Sequence, residues 1–378
     1  MNKIASLHLW FFILFFFPAL TVKGQDYNYY YGNIHAHTAF SDGNKDKATT
    51  GVKTPAGSYA FAKKSQHFNF LGISEHNHSQ AGMQLASYAK GIQQASAENK
   101  DGSFVCMYGM EFGVIKNGGH VLVYGVPQLI GWEQNNFDLE CEKFDYSSLW
   151  SIIANHPHGF GTLAHPEKTD FNNLLTQPYN KTADKAICGV TISTGPAFAE
   201  DTSYDSKPAK KFIDFFRGLL AVGYHVGPTI DHDNHFLTFG RMASSRTVVL
   251  ARELNRDSIV DAYREMRFYA SADWNVRVKF VINGFPMGKR INTRKAASIK
   301  VEVTDPDAGD DVKSIKIFFG SPGSKILSTV LPGGSKTNAN QLDVSHDAKK
   351  GETFYYYAEI IQKDGDKILT SPIWVRKL

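Results

Sequence analysis

Cysteine is scarce in this chain, with three residues in 378. Cys106, Cys141 and Cys188 lie far apart and form no C-x-x-C pair, which excludes a zinc knuckle or a dithiol redox motif. One disulfide and one leftover thiol are all that an oxidising compartment could make of them, and Cys106, inside an apolar run, reads as a small buried hydrophobe. No long hydrophobic run is present either. The most apolar stretch, Leu9–Leu20, is about a dozen residues, too short for a relaxed membrane span and the length of a signal-peptide core. An excess of one charge is also missing: 41 Lys and Arg stand against 37 Asp and Glu, a formal charge of +4. That balance gives no electrostatic case for nucleic acid or an acidic membrane surface as partner. Internal repeats and low-complexity segments are absent too.

What is present begins with export. Lys3 supplies a positive start, Leu9–Leu20 the apolar core, and Val22 and Gly24 the small residues of a cleavage site before Gln25. Residues 1–24 are therefore expected to be a signal peptide. The mature chain is expected to be periplasmic or extracellular, with no integral membrane segment.

Beyond this leader the chain divides in two. From 25 to 273, short apolar runs alternate with amphipathic stretches. Strands are expected at Tyr31–Ile34, Phe70–Ser74, Phe104–Tyr108, Val121–Tyr124, Gly161–Ala164, Gly189–Ser193, Pro228–Asp231 and Thr247–Ala251. Helices are expected at Pro55–Gln66, Met83–Glu98, Tyr146–Ala154, Pro208–Ala221 and Asp257–Met266. Strand and helix in repeated order predict an α/β fold with a mostly parallel sheet, and the number of units fits a barrel. From 274 to 378 only strand patterns remain, separated by turns such as Asn283-Gly284 and Asp364-Gly365-Asp366. This part is expected to be an immunoglobulin-like β-sandwich.

The histidines carry the chemistry. Of 14, one lies in the leader and one, His346, in the sandwich; most others fall at or just after predicted strand ends. His35 and His37 stand two apart on an extended segment, so both imidazoles face one way and can reach one metal. Asp42 follows in Ser41-Asp42-Gly43, where glycine permits a tight turn. His76, Glu111, His120 and His165 sit at successive strand ends, and Asp231-His232-Asp233-Asn234-His235 closes the series. A lone histidine at a strand end is more often a hydrogen-bonding residue than a ligand. All these elements on one face change that balance, because burying so many imidazoles and carboxylates without a metal is costly.

The ordered set resembles the PHP (polymerase and histidinol phosphatase) family of metal-dependent phosphoesterases, over roughly residues 30–272. The resemblance implies a distorted, TIM-like (β/α)7 barrel with a site for two or three divalent ions, zinc, manganese or iron. His35, His37, Glu111 and Asp233 resemble the ligands of the first ion. Glu111, His120 and His165 resemble those of the second, with Glu111 bridging, and Asp42, His76 and His235 those of the third. Two departures stand out: Glu75 replaces the usual Asp before the third-site histidine, and the closing motif leaves Asp231 with Asp233 as a rival register. His232 is then a candidate for support of the ligands or proton donation, and Arg241 a candidate grip on an anionic group. Asn77, His78, His156 and His158 read as loop polarity.

The expected function is metal-dependent hydrolysis of a small-molecule ester, most simply a phosphoester, by a metal-bridging hydroxide. Segment 267–271 and the Val281-Ile282-Asn283-Gly284 turn resemble a secreted branch of the family in which some members hydrolyse carbamate or other esters, so a carboxylic or carbamate ester is the alternative. A carbohydrate- or surface-binding protein with a degenerate barrel is the alternative from another class; the complete ligand set argues against it.

Overall fold

The computed structural model describes residues 27–114 and 117–378. The expected signal peptide, residues 1–24, lies outside them. Among the described residues no helix is long and apolar enough to cross a membrane. The three cysteines are free and buried.

The eight strands expected before residue 273 are all present, several of them longer than their apolar cores. Phe70–His76 and Ile187–Thr194 are buried along their whole length, as strands covered on both faces must be. Helix starts follow side-chain caps: Thr54 accepts from the Gly57 amide at 3.3 Å ahead of Pro55, and Asn255 from the Ser258 amide at 2.8 Å. Each such cap stabilises its helix by about 1 kcal/mol. Helix Arg256–Arg264 then buries Ile259, Val260, Ala262 and Tyr263 against the sheet.

The connectivity overturns the expected (β/α)7 barrel with its mostly parallel sheet. Strands dominate, and of the eight α-helices among the described residues two have only four residues. One mixed sheet of 16 strands runs by hydrogen-bonded neighbours from Gly227–Asp231 through Ile187–Thr194, Phe160–Ala164, Asn117–Tyr124, Val105–Val114, Phe70–His76 and Asn28–Asn33 to Arg246–Ala251 and Phe268–Ser271. Asn117–Tyr124 is antiparallel to both neighbours, and Asn28–Asn33 is antiparallel to Arg246–Ala251. A parallel pair needs a long crossover, whereas only two residues separate Val105–Val114 from Asn117–Tyr124, which opens with positive φ at Gly118 and Gly119. The helix expected from Pro208 starts only at Ile213, because Lys210 and Lys211 pair with Thr194 and Ser193 instead.

The sheet also passes into the C-terminal part without a break. Phe268–Ser271 pairs antiparallel with Lys367–Thr370, and the ladder continues through Thr353–Gln362 and Val312–Gly320 to Thr329–Thr337. A four-stranded sheet packs against it; its strand Ala297–Thr304 alternates buried and exposed residues, the pattern of one covered face. The apolar core between these layers contains Val278, Phe280, Ile299 and Ile360, and also Tyr31, Val248, Leu250 and Tyr269 from before residue 273.

This topology gathers the conspicuous polar residues at one end. His76 ends its strand and stands in register with Glu111 on the next. Because Asn117–Tyr124 runs the opposite way, His120, near its start, reaches the same end, opposite Ala164 and next to His165.

Candidate metal centre

Glu111 is the hub. It is 1% exposed, so its two oxygens are supplied almost wholly with protein partners. Oε1 lies 2.7 Å from His120 Nδ1, 3.0 Å from His165 Nε2 and 3.3 Å from His35 Nε2. Oε2 lies 3.2 Å from His37 Nε2 and 3.4 Å from His76 Nδ1. Asp233 Oδ1 sits 3.1 Å from Nε2 of both His35 and His37. On the far side, Asp42 Oδ1 is 3.3 Å from His235 Nε2 and 3.7 Å from His76 Nε2. The nine expected ligands are thus brought together. Eight of them form three overlapping groups, each able to hold a metal ion: His35, His37, Glu111 and Asp233; His76, Glu111 and His120; and His37, Asp42, His76 and His235; His165, expected with Glu111 and His120, reaches Glu111 but belongs to none of the three, and His76 takes its place in the second.

Local structure explains the placement. Asp233 donates its amide to the His35 carbonyl and His37 donates to the Asn234 carbonyl, so the first and last ligand segments lie side by side. Gly43 is required behind them, since a Cβ there would meet the His37 carbonyl at 2.2 Å. His165 and Asp233 both hold positive φ, which ordinary residues adopt only where surroundings enforce it.

The electrostatics favour charged carboxylates. Burial opposes ionisation of Glu111 and Asp233, but neighbouring imidazoles outweigh it and hold both well below the usual range. For Asp42 the surrounding histidines likewise win over burial and lower its pKa. Burial also opposes charge on His37, yet Asp233 and Glu111 raise it to about 10. His76 goes the other way, to about 3, because burial is reinforced by His37 and His120. The donor set fits a cation on a further count: His35 Nε2, His37 Nδ1, His76 Nδ1 and Asp42 Oδ1 are buried with no hydrogen-bond partner.

The supporting residues differ from expectation. Asp231 does not share the metal-facing side; its Oδ2 lies 3.1 Å from His35 Nδ1, on the opposite edge of the ring from Asp233, and Thr191 donates to it. The choice between the two registers is therefore Asp233. His232 is wholly buried, and its Nε2 donates to the Ser245 carbonyl at 2.8 Å rather than reaching any ligand. Burial and Arg246 lower its pKa to about 3, which suits a neutral packing residue better than a proton donor. Arg241 turns away from the cluster to the Lys64 carbonyl at 3.2 Å and packs over Phe61, so it grips no anion there. His78 is buried rather than loop polarity, stacked on Trp132 beside His76.

The role of one residue noted in the sequence, and a second residue altogether, escaped sequence reading. Glu75 accepts from the Thr38 amide and from the Thr38 and Ser41 hydroxyls, fixing the loop that carries Asp42. Phe198, 60% exposed, lies 4.8 Å from the His235 ring with Lys45 5.5 Å above it. The cleft beside it has a volume of about 640 Å³ and is lined by His120, His165, Asp233, Phe198 and Lys210. Glu75 stood out in sequence as a departure beside a ligand, but nothing there showed that it holds the Asp42 loop; exposure of Phe198 has no sequence signal.

No family model matches the chain. It is similar to an uncharacterized protein of Chlamydia trachomatis serovar D, 25% identical over 319 residues, covering 76% of this chain and 49% of that protein. An uncharacterized protein of Chlamydia pneumoniae is 22% identical over 257 residues, 61% of this chain and 38% of the relative. The chain thus spans about half or less of the length of these curated relatives. Among solved structures, a superoxide reductase from Ignicoccus hospitalis overlaps 27% of this chain and 80% of its own, at 12% identity and a TM-score of 0.21. The fibronectin(III)-like modules of Clostridium thermocellum CbhA overlap 27% of this chain and 98% of theirs, at 21% identity and a TM-score of 0.18. Overlaps of this size define neither the fold nor the chemistry of the chain.

Proposed function

We propose that the chain is a metal-dependent hydrolase of small-molecule esters, with phosphoesters as the first substrate class. The observation that carries this reading is the sharing of Glu111, His37 and His76 among three ligand groups. A carboxylate with several imidazoles on each oxygen is the arrangement expected where neighbouring cations must be held close together. Imidazole and carboxylate donors suit zinc, manganese or iron, two or three ions in all. Such ions supply Lewis acidity and make a bound water nucleophilic near neutral pH. The chain's own contribution is to keep Glu111 and Asp233 ionised, to hold His35 between Asp231 and Asp233, and to leave one side of the cluster open to the cleft. The ligand order keeps its resemblance to the PHP family, on a sheet of different connectivity from the one that resemblance implied.

A carboxylic or carbamic ester is the second reading. It is favoured by the exposed Phe198 ring at the cleft and by Arg241 facing away, with no arginine among the described residues that line the cleft. The test is metal content of the purified protein together with turnover on phosphomonoesters, phosphodiesters and aryl esters. Bound metal with turnover on one class assigns it. Protein that binds no divalent ion and cleaves none of them sinks the proposal.

A further inference from the structure

Behind the ligands Asp233 and His235 the chain returns to the sheet through residues 236–245 and enters strand Arg246–Ala251. Arg246, the first residue of that strand, is completely buried. Its five N–H groups all donate to backbone carbonyls. Nη1 donates to Ala243 at 2.6 Å and Ser245 at 2.8 Å, Nη2 to Gly240 at 2.7 Å and Gln66 at 3.4 Å, and Nε to His67 at 3.2 Å. The guanidinium lies over the Phe68 ring, 5.1 Å from its centre. Among the described residues no carboxylate forms an ion pair with it. Burial draws its pKa down to about 9, which still leaves it charged at neutral pH. A cation buried without a counter-charge is costly, and an apolar side chain would avoid the cost. A rigid fork of five donors does what an apolar side chain cannot: it holds five carbonyls in one arrangement.

Those carbonyls come from two segments. Gly240, Ala243 and Ser245 belong to the loop that follows the ligands. Gln66 and His67 lead into strand Phe70–His76, which ends in another ligand. The Ser245 carbonyl also accepts from His232 Nε2 at 2.8 Å. His232 directly precedes Asp233, so one carbonyl closes the loop at its root, between the residue before the ligands and the arginine after them. Within the loop the Asn234 amide donates to Thr238 Oγ1 at 2.8 Å. Asp233 holds a φ of 55°, a conformation that costs energy unless the surrounding chain imposes it.

We propose that Arg246 is a positioning residue of the metal centre: its guanidinium sets the loop 236–245, and the loop imposes the backbone that presents Asp233 and His235. The inference rests on the reading of the imidazole cluster as a metal site. It is selective. The group of His35, His37, Glu111 and Asp233 and the group of His37, Asp42, His76 and His235 each take one ligand from this segment, whereas the group of His76, Glu111 and His120 takes none.

Cobalt added to the metal-free full chain is the probe, read by its visible absorption. Arg246→Lys keeps the charge but replaces the five-donor fork with three donors on one atom. It should hold one ion as the unaltered chain does and bind the others at least about tenfold more weakly, the scale of a lost residue that supports a ligand. In Arg246→Ala, added guanidinium should refill the carbonyl cradle and restore the lost affinity, and methylammonium at the same concentration should not. If Arg246→Ala does not fold, Arg246→Lys decides the matter alone. Unchanged affinity for every ion, equal weakening of all of them, or no rescue by guanidinium in a folded Arg246→Ala overturns the role of Arg246 and leaves the metal reading standing. An unaltered chain that binds no cobalt overturns both.

Discussion

Asp231 Oδ2 lies 3.1 Å from Nδ1 of His35, while the metal-facing Nε2 of the same ring points at Asp233 and Glu111. The imidazole is therefore held by its rear edge, and Thr191 and Thr229 in turn hydrogen-bond to Asp231. A carboxylate behind a ligand histidine fixes its tautomer and raises its basicity. Asp231→Asn should keep the fold and weaken metal affinity by about 10- to 100-fold. Titration of the metal-free protein with zinc or manganese measures this. Unchanged affinity would reduce Asp231 to a packing residue.

Glu111→Gln should be more severe. The substitution keeps volume and removes the charge that five histidines face. Neighbouring cations would then repel across a neutral amide, and at least one should be lost. Turnover on whichever ester the protein cleaves should fall by at least about two orders of magnitude, since metals supply several kcal/mol of transition-state stabilisation. Metal analysis, kinetics and circular dichroism on one preparation decide it. Full metal and full activity in a folded Glu111→Gln would remove the centre of the assignment.

The ligands were legible because their signal is local. His35 and His37 share a face two apart on extended backbone just past strand Asn28–Asn33, His76 and His165 mark the ends of apolar runs that the chain does fold into strands, and Glu111, expected at a strand end, lies inside Val105–Val114. Strand direction was not legible. An apolar run such as Val121–Tyr124 reads the same whether it pairs parallel or antiparallel, so counting strands and helices produced a barrel that the hairpin from Val105 to Tyr124 contradicts. Side-chain direction was equally hidden: Asp231 and Asp233 share one parity in sequence yet bracket His35, because positive φ at Asp233 turns the chain between them. Arg241 carried the right charge but spends it on a backbone carbonyl.

The boundary near residue 273 marks a change of pattern, and the sheet and one core run across it. A chain ended after Asp273 would lose the partners of Tyr269, Ala270 and Ser271 on Lys367–Thr370 and uncover Tyr31, Val248, Leu250 and Tyr269. Exposing that much contiguous apolar surface with an open strand edge favours aggregation. The truncated protein should be insoluble or lack a cooperative melt, although every histidine ligand precedes the cut. A soluble truncation that melts cooperatively and binds metal would show the sandwich to be an independent appendage.

Glu75 separates stability from metal binding. Its carboxylate is buried and accepts from the Thr38 amide and from the Thr38 and Ser41 hydroxyls, so it ties strand Phe70–His76 to the loop that presents Asp42. Burial raises its pKa even against those hydrogen bonds, which means that the charge is itself costly in the fold. Glu75→Gln removes that cost but places an NH2 donor against groups that also donate. The loop should loosen while the core around it stays intact. The group of His37, Asp42, His76 and His235 should then lose affinity, and the group built on His35, Glu111 and Asp233 should keep it. The expected result is a melting temperature of the metal-free protein within a few degrees of the unaltered chain, with one ion bound markedly more weakly than the rest. Equal weakening of all ions would place Glu75 in the general packing of the site, and unchanged binding would show that Asp42 is positioned without it.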